Sequence, residues 1–163
     1  MNTSSIRNFT FGVEDSLAST VGLLSGVASA QVNSQAIIIT GLLLIITEAL
    51  SMGIGSFLSE MSVRQLAHHQ DVPSRQSISG AVIMFFSYLL SGLIPLAPYV
   101  FFPPFQALWM SIILSITALF LLGTFNAYLA KIPPLRQGVR MLLLGGAVAI
   151  SGVLLGNFLH DFS

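Results

Sequence analysis

Long apolar runs, broken by short polar clusters, set the pattern of this chain. Residues 16–47 and 76–130 contain no Asp, Glu, Lys or Arg. A bilayer-spanning helix needs about 20 mainly apolar residues. The second stretch therefore holds two helices, and "FFPPFQ" (101–106) supplies the turn between them, because proline ends helices. The first stretch breaks at its polar cluster, "AQVNSQ" (30–35). A last apolar run, "MLLLGGAVAISGVLLGNFL", covers 141–159. The pattern predicts an all-α integral membrane protein with five transmembrane helices, near 11–30, 36–60, 78–101, 106–130 and 138–159. Only helices or closed barrels span lipid, and these runs are too long for barrel strands. The connector 61–77 is too short for a folded unit, so residues 1–163 are expected to form one membrane domain.

Charge adds an orientation. The chain has 163 residues, 54% hydrophobic and 7% charged, against about 25% charged in a soluble domain. Most of its surface is therefore expected to face lipid. Arg7 precedes the first helix. Arg64 and Arg75 lie between the second and third, and Lys131, Arg136 and Arg140 between the fourth and fifth. With five spans all six fall on one side. The positive-inside rule then puts the N-terminus in the cytoplasm and the C-terminus outside. The N-terminal segment has no compact apolar core or small-residue cleavage site, so the first helix is expected to be retained. Net charge is zero, so nucleic acid is not an expected partner. There are no cysteines, which excludes disulfides and thiolate metal sites. No catalytic triad, phosphate-binding glycine loop or H-E-x-x-H occurs, and no enzyme is expected.

The polar residues inside the spans carry the candidate chemistry. In the first helix Asp15, Ser19, Gly22, Gly26 and Ser29 recur at three- and four-residue steps and share a face. Small residues there allow close helix approach. Gly145, Ala149, Gly152 and Gly156 form a similar stripe in the fifth helix, read as packing. In the second helix Glu48, Met52, Gly55 and Ser59 share a face, and Glu48 falls near mid-span. A carboxylate there costs on the order of 3 kcal/mol on insertion scales, and such residues commonly serve transport. Every Lys and Arg lies near the helix ends, so a proton or a bound cation must compensate Glu48. Carboxylates suit hard or borderline divalent ions and thioethers softer ones. The mixture points to Fe²⁺ or Mn²⁺ over Mg²⁺ or Ca²⁺, held weakly, as conduction requires. Pro95 and Pro98 in the third helix each remove a backbone donor, and the freed carbonyls either line a pathway or are met by Ser91 and neighbouring helices. His68 and His69, with Asp71, read as solvated connector residues, too few for a metal site. Glu14 and Glu60 read as interfacial acids.

"FGVEDSLAST" in the first helix, "SMGIGSFLS" in the second and "GLIPLAPY" in the third together resemble the vacuolar iron transporter family. The resemblance covers nearly the whole chain. It implies a five-helix fold that works as a homodimer and moves Fe²⁺, and often Mn²⁺, out of the cytoplasm in exchange for protons. The implied ion path lies at the dimer interface between the first helices. Asp15 and Met52 match the family's pathway ligands, whereas Glu48 comes from the reading of the residues alone. The usual D-G pair is Asp15-Ser16 here, and the glutamate of G-E-Y is Ser56. The long acidic segment between the second and third helices is absent. That short form implies a bacterial-type member in the inner (plasma) membrane, with no resident cofactor. Two other readings of the residues stay open: a scaffold or partner subunit whose acids are structural, and a proton-coupled carrier of another solute.

Overall fold

The computed structural model describes residues 3–68 and 74–161. Five helices follow in chain order: α1 (Thr3–Ser29), α2 (Ser34–His68), α3 (Arg75–Phe101), α4 (Pro104–Ala130) and α5 (Pro134–His160). No strand occurs among the described residues. Each helix extends past its predicted span, two of them by eight residues at one end. α1 begins at Thr3 rather than near residue 11, and α2 runs to His68 rather than 60. Hydropathy marks the part of a helix that sits in lipid, and these extra turns carry polar residues. His69 and Asp71 lie outside the described residues.

Local signals set the ends. Asn33 accepts a hydrogen bond from the Ala36 amide at 2.9 Å at the start of α2, and Ser74 accepts one from the Ser77 amide at 3.0 Å at the start of α3. Such side-chain oxygens satisfy amides that have no partner in the helix. Prolines open α4 and α5, where a missing amide proton costs nothing. Lys131 ends α4 in the left-handed region at φ 55°. α3 runs unbroken through Pro95 and Pro98. Both prolines are buried against other helices, and Ser111 of α4 donates to the Pro95 carbonyl at 2.7 Å. Ser91 donates back to the Ser87 carbonyl at 2.5 Å.

Helices α2 to α5 are each long and apolar enough to cross a membrane. α1 has 27 residues, about 40 Å at 1.5 Å per residue, but Glu14, Asp15 and its hydroxyls make it less apolar. The fold shelters it instead. α1 packs against all four other helices, which follow one another around it in the order α2, α3, α4, α5. Leu17, Val21 and Leu24 of α1 are fully buried. The ring is open between α5 and α2. There α1 shows a half-buried stripe containing Asp15, Ala18, Ser19, Gly22 and Gly26.

Candidate functional site: an acidic pair on α1 and α2

The structure brings together charges that lie far apart in sequence. Asp15 and Glu48 are half-buried, on the neighbouring helices α1 and α2. Neither takes part in an ion pair among the described residues. Tyr88 of α3 lies beside this region: its hydroxyl meets the hydroxyl of Ser19, one turn from Asp15, at 2.6 Å. The sequence reading missed Tyr88, because an aromatic residue in an apolar helix carries no signal of its own. Ser16, beside Asp15, donates to the Tyr88 carbonyl at 2.7 Å. It lies against Gly92, so a hydroxyl on α1 faces a residue without a side chain on α3. Glu14, next to Asp15 in the chain, is also half-buried.

The other predicted residues separate into two places. Met52, Gly55 and Ser59 line a cavity between α1, α2 and α3, together with Arg7. Arg7 in turn reaches the carboxylate of Glu60, next to Ser59, at 3.4 Å. Arg7 is largely exposed, so this pair stabilises the fold by at most about 1 kcal/mol. Gly22 and Gly26 instead pack within the protomer. Gly22-x-x-x-Gly26 on α1 crosses Gly152-x-x-x-Gly156 on α5, and a Cβ at Gly152 or Gly156 would collide with the backbone carbonyls of Gly22 and Gly26. Close backbone contact of this kind is the usual means of helix association in lipid, where burial of apolar surface gives no net drive. The α1 stripe thus serves two partners: its glycine edge belongs to α5, while Asp15 and Ala18 border the opening beside α2. Outside the α1–α5 contact runs an apolar groove of about 510 Å³, lined partly by Ser19, Leu23 and Leu155.

Comparison with known proteins gives this arrangement a context. The profile of the VIT family matches residues 6–77 and 68–157. The chain belongs to the VIT family. Among relatives of this VIT family member, vacuolar iron transporter homolog 3 of Arabidopsis thaliana is 28% identical over 159 residues, covering 90% of this chain and 78% of its own. Vacuolar iron transporter homolog 2 of Oryza sativa subsp. japonica is 26% identical, with coverage of 89% and 85%. A vacuolar iron transporter of Centaurea cyanus is 24% identical over 200 aligned positions, taking in 86% of this chain and 82% of its own. That alignment is longer than the present chain, so this relative carries residues without a counterpart here. The family profile divides at residues 68–77, between α2 and α3, where the sequence lacks the long acidic segment. In this VIT family member the acidic pair therefore stands in the membrane bundle.

Proposed function

We propose that this protein is a secondary transporter that exports Fe²⁺ and/or Mn²⁺ from the cytoplasm in exchange for protons. One observation carries the reading: two carboxylates, Asp15 of α1 and Glu48 of α2, are half-buried on neighbouring helices of an apolar bundle, and neither takes part in an ion pair among the described residues. Unpaired acids at that depth destabilise the protein unless a cation or protons join them. The printed names of the relatives support iron as cargo. Met52, one turn from Glu48, adds a thioether and favours transition metals over Ca²⁺.

The path runs at a homodimer interface. Among the described residues no group of three or more His, Cys, Asp or Glu lies together, and one protomer brings two carboxylates to the opening between α5 and α2. A two-fold mate placed against that opening would bring two more, giving four carboxylates, of which two suffice to balance a divalent ion. A carboxylate gives up any proton it holds when it binds metal, which links ion and proton movement. The orientation follows from the basic residues, cytoplasmic N-terminus and external C-terminus, and the membrane is the bacterial inner membrane.

Proteoliposomes test the reading. The protein should pass Fe²⁺ or Mn²⁺ faster than Ca²⁺, and an opposing pH gradient should accelerate the flux. Absence of flux for every divalent ion would leave the scaffold reading. Glu48→Gln keeps the shape of the acid and should flatten the response of flux to pH. A variant with the parent's pH response would remove the proton role from Glu48. Single cysteines at Ala18 or Leu23 should crosslink two copies through the opening, since neither position is committed to the glycine contact with α5. Crosslinks formed only from the lipid-facing side of α4, for instance at Ile113, would place the interface elsewhere.

A further inference from the structure

The cavity beside Met52 holds an uncommon set of donors. It has a volume of about 420 Å³ and lies between α1, α2 and α3. Asn8 of α1, Met52, Ser56 and Ser59 of α2 and Met84 of α3 line it, with Arg7 at the rim. Two thioethers, a carboxamide and two hydroxyls therefore converge where a bundle built only for packing would place Leu and Ile. Met84 and Asn8 are each only 4% exposed, so both are held by their surroundings. The sulfur of Met84 sits over Gly12, where a Cβ would stand 3.2 Å from it. The bare backbone at Gly12 makes room for that thioether.

The spacing along α2 gives the cavity a direction. Glu60, Ser56, Met52 and Glu48 follow at four-residue steps, each about 6 Å along the helix. One face of α2 thus carries a carboxylate at the rim, a hydroxyl, a thioether and then the carboxylate of the mid-span pair. Arg7 covers the first of these.

We propose that this cavity is a cation-binding site that feeds the Asp15–Glu48 pair, with Met84 as a second thioether beside Met52 and with Glu60 exchanging Arg7 for the arriving ion. The proposal rests on the transport reading above. Its ligand is a borderline divalent transition metal: carboxylates at both ends of the ladder suit a double charge, and thioethers disfavour Mg²⁺ and Ca²⁺. The exchange at the rim is easy because Arg7 is exposed and its 3.4 Å contact with Glu60 is weak. The ion then trades water for the Ser59 and Ser56 hydroxyls and the Asn8 amide oxygen before it meets sulfur. Met84 sets selectivity, and Arg7 sets access.

Calorimetric titration of the purified full-length protein tests this, with Cd²⁺ as the sulfur-seeking probe and Mg²⁺ as the hard comparator. Met84→Leu should lower Cd²⁺ affinity about tenfold or more, the usual scale for a lost contributor to a metal site, and leave Mg²⁺ affinity unchanged. Arg7→Gln lies at the exposed rim, where it does not disturb packing. It should tighten Cd²⁺ binding by up to about fivefold, the scale of a surface ion pair. The gain should vanish when Glu60→Gln is added. Unchanged Cd²⁺ affinity in Met84→Leu, or no gain in Arg7→Gln, overturns the proposal. Flux separates the two readings. A parent that binds Cd²⁺ with these responses but passes no divalent ion keeps the cavity and loses the transporter. A parent that transports while Met84→Leu binds normally keeps the transporter and loses the cavity.

Discussion

Asp15→Asn is expected to cut the flux of every divalent cation at least tenfold while leaving the protein as stable as the parent, or more so. Both halves follow from the geometry. Asp15 takes part in no ion pair among the described residues. Asparagine has the same shape and removes a half-buried charge, so the helices lose no contact. The ion loses a charged ligand from its path. Loss of a mere outer partner of a metal ligand already costs about 10- to 100-fold in affinity or activity, and a charged ligand costs at least as much. The measurements are proteoliposome flux of Fe²⁺ and Mn²⁺ and a thermal melt in detergent. A fall in flux with an unchanged or raised melting temperature marks a residue kept for function at some expense of stability. Parent-like flux would remove Asp15 from the path. A lowered melting temperature would make it a structural residue.

The second large effect concerns the α1–α5 crossing. Gly152→Val should destabilise the protein by about 3 kcal/mol, the upper range for over-packing, because the obstacle is a backbone carbonyl and not a side chain that can turn away. Gly146→Ala, one turn and a half earlier on α5, is the control. Its Cβ would meet only Ile116 at 3.9 Å, an ordinary contact, and alanine is the better helix former by about 1 kcal/mol. Size-exclusion profiles after heating should show early loss of Gly152→Val and parent-like or better survival of Gly146→Ala. Equal survival of the two variants would mean that α1 and α5 sit further apart than described.

Much of this arrangement was legible in the sequence, for identifiable reasons. Five helices follow from runs that only lipid can accommodate, and prolines mark the turn before α4. Asp15 and Glu48 stand out because a charge in an apolar run has few bland explanations. Other features were hidden. The polar turns at the start of α1 and the end of α2 lie beyond the hydropathy signal, so neither end could be fixed. Tyr88 and Met84 are ordinary residues for a membrane helix, and only their neighbours, Ser19 and Gly12, distinguish them. Gly22 and Gly26 were readable as a contact face, but periodicity does not name the helix across from it. The matching pair, Gly152 and Gly156, was visible on α5, yet linking the two required the topology. The structure gives the glycine edge of the α1 stripe to α5.

That crossing ties together helices far apart in chain order. Gly22 meets Gly152 across the bundle, and a contact between such distant residues costs loop-closure entropy before it repays it. The glycine edge of α1 stays bare until α5 docks, so the crossing is expected to form late in folding, after α2 and α3 have closed on α1.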